Sequence, residues 1–259
     1  MFFTKHKNYL IILLILIFVF FTYLPVITTD YLYHDDYYLL LVREFSECGR
    51  HPQFLGYLID TVRPLGILIK CYNGAIVNDI ASGFLARTSS VIFLCRFAII
   101  IYLNLVSYNV DRLISACISM MIVTLPAYQI AIAFLAVSTS IYGSIISFLT
   151  GWIITYYIKK NGEKITLNIK ELLICSILLL SSLMVYQPSA FIYFLPIIIY
   201  FFKLNKSLVE KFKISIYLIL PVLISSIMYI MLRKIVQYFF GYKIEYFYAG
   251  SNISIDIWN

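Results

Sequence analysis

Two adjacent carboxylates, Asp35 and Asp36, follow directly after the first long apolar stretch of the chain, in a tyrosine-rich segment. A carboxylate within hydrogen-bond reach can take the proton from an attacking hydroxyl, and two carboxylates together can hold a hard cation. One aspartate is enough to cap a helix that begins at Tyr37, which leaves the second unexplained. Asp35 and Asp36 are therefore predicted to be catalytic, as a general base, as metal ligands, or as both.

Two histidines, His34 and His51, lie in the same part of the chain and are further candidate metal ligands. No tight ligand spacing joins them to each other or to the acids. A neutral histidine packed among tyrosines at a membrane surface is the simpler explanation. The one cofactor that the sequence suggests is thus a divalent cation at Asp35 and Asp36.

Three arginines follow the acids and offer a second kind of chemistry: Arg43, Arg50 and Arg63. A guanidinium group holds phosphate through paired N–H donors. Alternatively, these side chains pair with neighbouring acids or lie along the lipid surface with their charged ends in water. Those acids are Glu44, Glu47 and Asp60. The sequence leaves both interpretations open, phosphate binding and surface pairing.

Two more arginines interrupt the second long apolar stretch. Arg96 lies near its middle, where a charged side chain costs about 3 kcal/mol on insertion scales. It is therefore predicted to face a polar cavity or to bind phosphate. Arg87 lies nearer the end of the stretch, and its side chain is expected to reach the membrane surface.

A polar interruption, Tyr186-Gln187-Pro188-Ser189, divides a later apolar run. The amide of Gln187 can hydrogen-bond a sugar hydroxyl. Tyr186 and Gln187 are therefore predicted to bind a sugar or the acceptor. The alternative is a plain turn between two helices.

The composition fixes the class of protein. The chain has 259 residues, of which 62% are hydrophobic and 13% charged, and its mean hydropathy is +0.89. Soluble domains are about half apolar and about a quarter charged. The sequence therefore predicts an all-α polytopic membrane protein. The net charge of +7 is attributed to loop lysines that fix topology, and no nucleic-acid partner is expected.

Apolar runs predict about seven transmembrane helices, because a helix needs about 20 apolar residues to cross. They are Tyr9–Thr29, Phe84–Val106, two within Leu113–Ile158, two within Leu172–Phe202, and Ile214–Leu232. The first pair turns either at 126–129 or at 138–140, and the second pair turns near Gln187-Pro188.

Lysines set the predicted orientation, since they concentrate on the cytoplasmic side. Lys5 and Lys7 precede the first span, which is interpreted as a retained signal anchor with a cytoplasmic N-terminus. The lysine-rich loops 159–164 and 203–213 are then also cytoplasmic. Residues 233–259 are placed outside.

Residues 30–82 form a long first extracytoplasmic loop within a single domain that covers residues 1–259. Interfacial helices are predicted at Tyr37–Phe45 and Ile67–Ile76. Cys48 and Cys71 fall in this loop and can pair. The other three cysteines lie in apolar stretches, where cysteine usually behaves as a small hydrophobic residue.

The order of these motifs resembles the serotype-converting O-antigen glucosyltransferases, which belong to the GT-C class of polytopic membrane glycosyltransferases. The resemblance covers roughly residues 10–200. It is carried by the signal anchor followed by Asp35-Asp36, Arg43, Gly49-Arg50, Arg63-Pro64-Leu65 and Tyr186-Gln187.

The resemblance implies a hexosyltransferase of the bacterial cytoplasmic membrane with a catalytic first outer loop. Its donor would be a polyprenyl-phosphate-linked hexose such as glucose, and its acceptor a cell-surface glycan such as O-antigen. The family's catalytic acid falls on Asp35 or Asp36. Family chains are longer and have more spans, so residues 1–259 are expected to be either the N-terminal part of that fold or a shortened or partner-dependent member of the family.

Two other classes of protein compete with the enzyme. A lipid or solute transporter, or flippase, would use Arg96 and the broken helices as a substrate path. A non-catalytic subunit of an envelope-polysaccharide complex would need no site at all. An ion-coupled carrier should carry acids inside its spans, and the predicted spans contain none. The expected partners are membrane lipid, the lipid-linked donor, the glycan acceptor and a flippase.

Overall fold

The computed structural model describes residues 2–29, 63–76, 83–133, 138–160 and 168–240. Within these ranges the regular structure is entirely helical. The helices are α1 (Phe2–Thr28), α2 (Pro64–Ile76), α3 (Gly83–Ser107), α4 (Arg112–Val123), α5 (Pro126–Ala133), α6 (Thr139–Lys160), α7 (Ile169–Val185), the 3₁₀ helix Gln187–Tyr193, α8 (Phe194–Lys203) and α9 (Leu208–Phe240).

Four of the described helices, α1, α3, α6 and α9, are long and apolar enough to cross a membrane. The pair α4 and α5 is bent by 52° and adds a fifth crossing if it is counted as one span. Helix α7 has 17 residues, or about 26 Å of helix against a hydrocarbon core of about 30 Å. The all-α membrane fold is therefore confirmed, and the seven predicted spans are not.

Side-chain caps explain where three helices begin. The carboxylate of Asp111 accepts hydrogen bonds from the backbone N–H groups of Leu113 and Ile114, at 2.9 and 3.2 Å, and so starts α4. Glu171 accepts from the backbone of Asn168 at 3.1 Å at the start of α7. Such bonds satisfy N–H groups that have no partner within the helix.

Helix α9 begins with the same device. Glu210 accepts from the backbone N–H and the hydroxyl of Ser207, at 3.1 and 3.0 Å. The acids at the starts of α4, α7 and α9 are the only ones among the described residues.

Helices α1 and α3 run antiparallel. A contact between Arg87 and Thr29 joins one pair of their ends, and the Tyr102 hydroxyl lies 3.3 Å from the side-chain oxygen of Asn8 at the other. Helix α6 runs parallel to α3, because aromatic contacts follow each other in the same order along both helices. The ring centroids of Phe93 and Tyr142 are 4.4 Å apart, and those of Phe97 and Phe148 are 5.6 Å apart.

The chain reverses direction after α7. Near the end of α7, the hydroxyl of Ser182 donates to the carbonyl of Gly143 at 2.9 Å. The chain then returns along α6, since β-carbons at Gly143 and Gly151 would overlap the Ser189 hydroxyl and the Tyr193 carbonyl, respectively. The reversal lies beside Gln187-Pro188, where the sequence predicts a turn.

This arrangement gives the bundle two ends. The end that contains Thr29, Gly143 and Gln187 is called the Gln187 end. The opposite end contains Tyr108, whose hydroxyl is 2.8 Å from that of Thr155 and whose ring faces the Lys159 ammonium group. It is called the Lys159 end. Helix α8 returns to it, because the ring of Tyr200 packs 6.1 Å from that of Tyr108.

Helix α9 connects the two ends on the outside of α7. Ile214 and Leu218, in its first half, are buried in the same core cluster as Tyr193, and the Tyr193 hydroxyl donates to the Leu218 carbonyl at 2.7 Å. In its second half, Gln187 donates a hydrogen bond to the Tyr229 hydroxyl. The helix therefore runs from the Lys159 end to the Gln187 end.

The close packing of α6 against the returning chain predicts the effect of enlarging Gly151. Gly151→Val should lower the free energy of unfolding by about 2 kcal/mol, because overpacking of a tight contact typically costs 1–3 kcal/mol. Tyr156→Val is the control, since Tyr156 lies on the same helix and is exposed. Reversible unfolding in detergent micelles measures both. Equal stabilities of the two variants would contradict the packing.

Candidate functional site

The Gln187 end brings together three residues that the sequence singles out as candidates. The guanidinium carbon of Arg63 lies over the ring of Tyr186, 5.0 Å from its centroid. Gln187, the next residue, bonds to Tyr229 of α9. Residues that are more than 120 positions apart in the chain therefore form one group.

Helix α2 places Arg63 in this group. The helix starts with Pro64, whose missing N–H and fixed φ suit a first helical position, and the carbonyl of Arg63 accepts from the N–H of Ile67 at 3.0 Å. A β-carbon at Gly66 would overlap the Val185 carbonyl. Only glycine thus lets α2 touch the end of α7, and this contact sets the guanidinium over Tyr186.

The break in the chain at Tyr186 has its backbone groups bonded within the protein. The N–H of Tyr186 donates to the carbonyl of Ser182 at 2.9 Å. The carbonyl of Tyr186 accepts from the hydroxyl and the N–H of Ser189, at 2.6 and 3.1 Å. The break, which we call the platform, thus presents the Tyr186 ring and the Gln187 amide at one end of the bundle.

Arg87 also belongs to the Gln187 end, although the sequence predicts a surface position for its side chain. Its side chain is fully buried and does not extend to the surface as expected. One terminal nitrogen donates to the Thr29 carbonyl at 2.9 Å. Thr29 is the last residue described before the segment with Asp35 and Asp36. Arg87 therefore holds the C-terminal end of α1 against α3, next to the start of that segment.

A signal for the burial of Arg87 is present in the sequence. Gly83, Ala86 and Ser90 share its face of α3 at helical spacing, and all are buried with it. Small side chains leave room for a bulky one on the same face. This spacing, which the hydropathy of the span conceals, identifies the side of α3 that packs inward.

Arg96 lies apart from this group, on the outward face of α3. Its side chain is exposed, and its guanidinium carbon lies over the Phe93 ring, 5.0 Å from the centroid. The sequence predicts a polar cavity around Arg96, and the structure instead places the side chain on the surface of the bundle.

The remaining predicted site residues lie outside the described residues. They are the acids Asp35 and Asp36, the arginines Arg43 and Arg50, and the histidines His34 and His51. Among the residues that are described, no group of three or more His, Cys, Asp or Glu side chains is placed to hold a metal ion.

The described part of the Gln187 end carries positive charge. Arg63 and Arg87 lie there, and Arg233 and Lys234 extend α9 just beyond Tyr229. The described acids start α4, α7 and α9 at the Lys159 end, where lysines outnumber them, and the described part of the Gln187 end contains no acid. An end with this charge favours an anionic ligand.

Cys71, on α2, is disulfide-bonded. Its predicted partner, Cys48, lies outside the described residues. The other three cysteines, Cys95, Cys117 and Cys175, are free, as expected for cysteines in apolar stretches.

Comparison with protein-family models, with curated proteins and with solved structures gives no match for this chain. The geometry of the Gln187 end therefore carries the functional argument.

The buried contact of Arg87 predicts graded effects of substitution. Arg87→Gln should lower the free energy of unfolding by about 2 kcal/mol, because hydrogen bonds of charged groups contribute about 1.5–3 kcal/mol. Arg87→Lys keeps a charged donor and should lose less. Limited proteolysis of residues 30–62 should speed up in the same order.

Arg233→Gln is the matched control, since Arg233 is exposed and its loss should change stability by less than about 0.5 kcal/mol. If Arg87→Gln behaved like Arg233→Gln in both assays, Arg87 would not fasten the end of α1.

Proposed function

We propose that this chain is an inverting GT-C-type glycosyltransferase, which transfers a hexose from a polyprenyl-phosphate donor to a cell-surface glycan at the outer face of the membrane. In the family that the sequence resembles, the sugar is glucose. The observation that carries the proposal is the meeting of Arg63, Tyr186 and Gln187 at the end of the bundle from which α1 leads to Asp35 and Asp36.

The proposed reaction is a single displacement. A carboxylate of Asp35 or Asp36 takes the proton of the acceptor hydroxyl, whose oxygen attacks the anomeric carbon of the donor sugar. The bond between that carbon and the phosphate oxygen breaks, and polyprenyl phosphate leaves with the electron pair. One displacement inverts the configuration at the anomeric carbon.

Positive charge has to meet the departing phosphate. Arg63 is the described residue suited to this role, with Arg43 and Arg50 as its proposed neighbours, because aimed cationic donors stabilise charge that develops on a leaving group. A divalent cation held by Asp35 and Asp36 would add to this charge. Arg96 is left out of the phosphate-binding group, since it faces outward from α3.

The platform at Tyr186 and Gln187 is proposed to hold the sugar. A sugar offers hydroxyls to an amide and a C–H face to an aromatic ring. Gln187 already bonds to a hydroxyl, that of Tyr229, so its amide is oriented for a partner of this chemistry. The ring of Tyr186 lies beside it, with Arg63 stacked on the ring.

Two independent features support an outer location for the Gln187 end. Lysines concentrate at the opposite end, in Lys159 and Lys160 at the end of α6 and in the basic segment 203–213, as expected of a cytoplasmic side. Cys71 is disulfide-bonded, and disulfides persist in oxidising compartments outside the cytoplasm.

The seven-span topology forms part of the proposal. The bent pair α4–α5 would cross once, and α7 and the 3₁₀–α8 segment would cross as two short spans. Their broken backbone is bonded by protein at Tyr186, which is the condition under which irregular backbone is tolerated in a bilayer. The N-terminus would then lie in the cytoplasm.

The transporter alternative receives less support. An ion-coupled carrier is expected to carry acids inside its spans, and the acids of the described helices all lie at helix starts. Transfer of labelled hexose distinguishes the enzyme from a non-catalytic subunit.

Transfer of labelled hexose tests the proposal directly. Membranes with wild type, Asp35→Asn or Asp36→Asn at matched protein levels receive labelled polyprenyl-phosphate hexose and glycan acceptor. Wild type should transfer, and loss of the general base should reduce the rate by about 10²–10⁴-fold. Glu210→Gln, which removes a carboxylate at the Lys159 end, should transfer at the wild-type rate.

Two results would reject parts of the proposal. Transfer that survives in both aspartate variants would move the base away from the pair. A wild-type chain that transfers nothing, although donor and acceptor are shown to be present, would reject the enzyme in favour of a transporter or a subunit.

A further inference from the structure

Helix α3 carries a straight stripe of exposed side chains with a charge near its middle. The stripe consists of Leu85, Ile92, Arg96 and Leu103, all exposed. At about 100° per residue, spacings of 7, 11 and 18 residues from Leu85 return to within about 20° of the same line. We call these four residues the α3 stripe.

The charge of the α3 stripe lies deep within the span. Arg96 comes 13 residues after Gly83 and 11 before Ser107 in the helix, or about 20 Å and 16 Å at 1.5 Å per residue. Because the hydrocarbon core is about 30 Å thick, its α-carbon lies near the midplane. An arginine side chain extends by roughly one helical turn, which leaves the guanidinium below the lipid phosphates.

Arg96 has an aromatic neighbour but no counter-charge among the described residues. Its guanidinium lies against the Phe93 ring, which packs against the Tyr142 ring of α6. No described acid is paired with Arg96, because Asp111, Glu171 and Glu210 lie at the Lys159 end. A charge that faces hydrocarbon in this way is costly, and such residues usually pair with a partner or line a polar path.

We propose that the α3 stripe is the docking surface for a transmembrane helix of another polypeptide that carries Asp or Glu near its midpoint. The carboxylate would pair with Arg96 beside the contact between the Phe93 and Tyr142 rings. Leu85, Ile92 and Leu103 would pack along the partner helix on either side of this pair. The inference is independent of the proposed sugar transfer.

A second copy of this chain does not fit as the occupant. Two copies related by an axis along the membrane normal keep every residue at the same depth, so the acid would have to lie at the level of Arg96. The described acids, Asp111, Glu171 and Glu210, all lie at the Lys159 end. Since none of the described acids lies at mid-depth, charge complementarity with Arg96 favours a different polypeptide as the occupant.

A helix probe tests the docking surface. The full chain, with a photoreactive benzophenone side chain at Ile92, is placed in phosphatidylcholine nanodiscs with a lysine-flanked polyleucine helix that carries one central Glu. The matched probe carries Gln instead. Ionic and polar contacts between helices in a bilayer predict about tenfold more crosslinking of the Glu probe. A benzophenone at Ile177, exposed on α7, is the positional control and should show no preference.

Substitution of Arg96 separates the outcomes. The preference for Glu should disappear in Arg96→Gln and persist in Arg96→Lys, while thermal unfolding of both variants matches wild type because the side chain is exposed. Equal crosslinking of the Glu and Gln probes, or a preference that survives in Arg96→Gln, would overturn the proposal. So would loss of the preference when phosphatidylglycerol replaces phosphatidylcholine, which would assign Arg96 to a lipid phosphate.

Discussion

The backbone at Tyr186 has to satisfy its hydrogen bonds within the protein while the chain reverses direction, and the rest of the bundle is arranged around this requirement. An unsatisfied backbone group in a bilayer costs several kcal/mol. Here the Tyr186 N–H and carbonyl are bonded to Ser182 and Ser189. The missing side chain at Gly143 lets α6 approach the returning chain closely enough to enclose these bonds.

Two other helices, α2 and α9, pack against the chain reversal at Tyr186. Helix α2 touches the end of α7 through Gly66, and its preceding residue, Arg63, stacks on Tyr186. Helix α9 crosses from the Lys159 end and meets Gln187 through Tyr229. A helix break whose backbone would be costly to expose to lipid is thus the place where Arg63, Tyr186, Gln187 and Tyr229 meet.

The bounds of α3 could be predicted from the sequence to within one residue, as 84–106 against the observed Gly83–Ser107. The start of α1 was predicted at Tyr9, whereas the helix begins at Phe2 and continues through Lys5 and Lys7. The ends of α9 were predicted wrongly, as Ile214 and Leu232, because the charges of Lys213 and Arg233 suggest boundaries. The helix runs through both of these charges, from Leu208 to Phe240. The grouping of Arg63 with Tyr186 depends on how α2 packs on α7, which no local pattern encodes.

The two arginines of α3 show why hydropathy cannot assign faces in a membrane helix. Arg87 and Arg96 are nine residues apart, or about half a turn out of phase at 100° per residue, so they point in opposite directions. Both faces of the helix carry apolar residues, so hydropathy predicts Arg96 in a cavity and Arg87 at the surface, whereas Arg87 is buried and Arg96 is exposed. Burial of Arg87 at Thr29 and exposure of Arg96 are decided by the partners of the helix.

The proposed reaction requires Asp35 or Asp36 to reach a donor sugar held at Gln187, and a crosslink between these positions measures this most directly. In a chain without its native cysteines, Asp36→Cys is combined with Gln187→Cys or, as the control, with Asn205→Cys between α8 and α9. A short bismaleimide should join the pair at 36 and 187 in native membranes and leave the pair at 36 and 205 unjoined. Failure to join 36 and 187, with both thiols shown to be reactive, would contradict the assembled site.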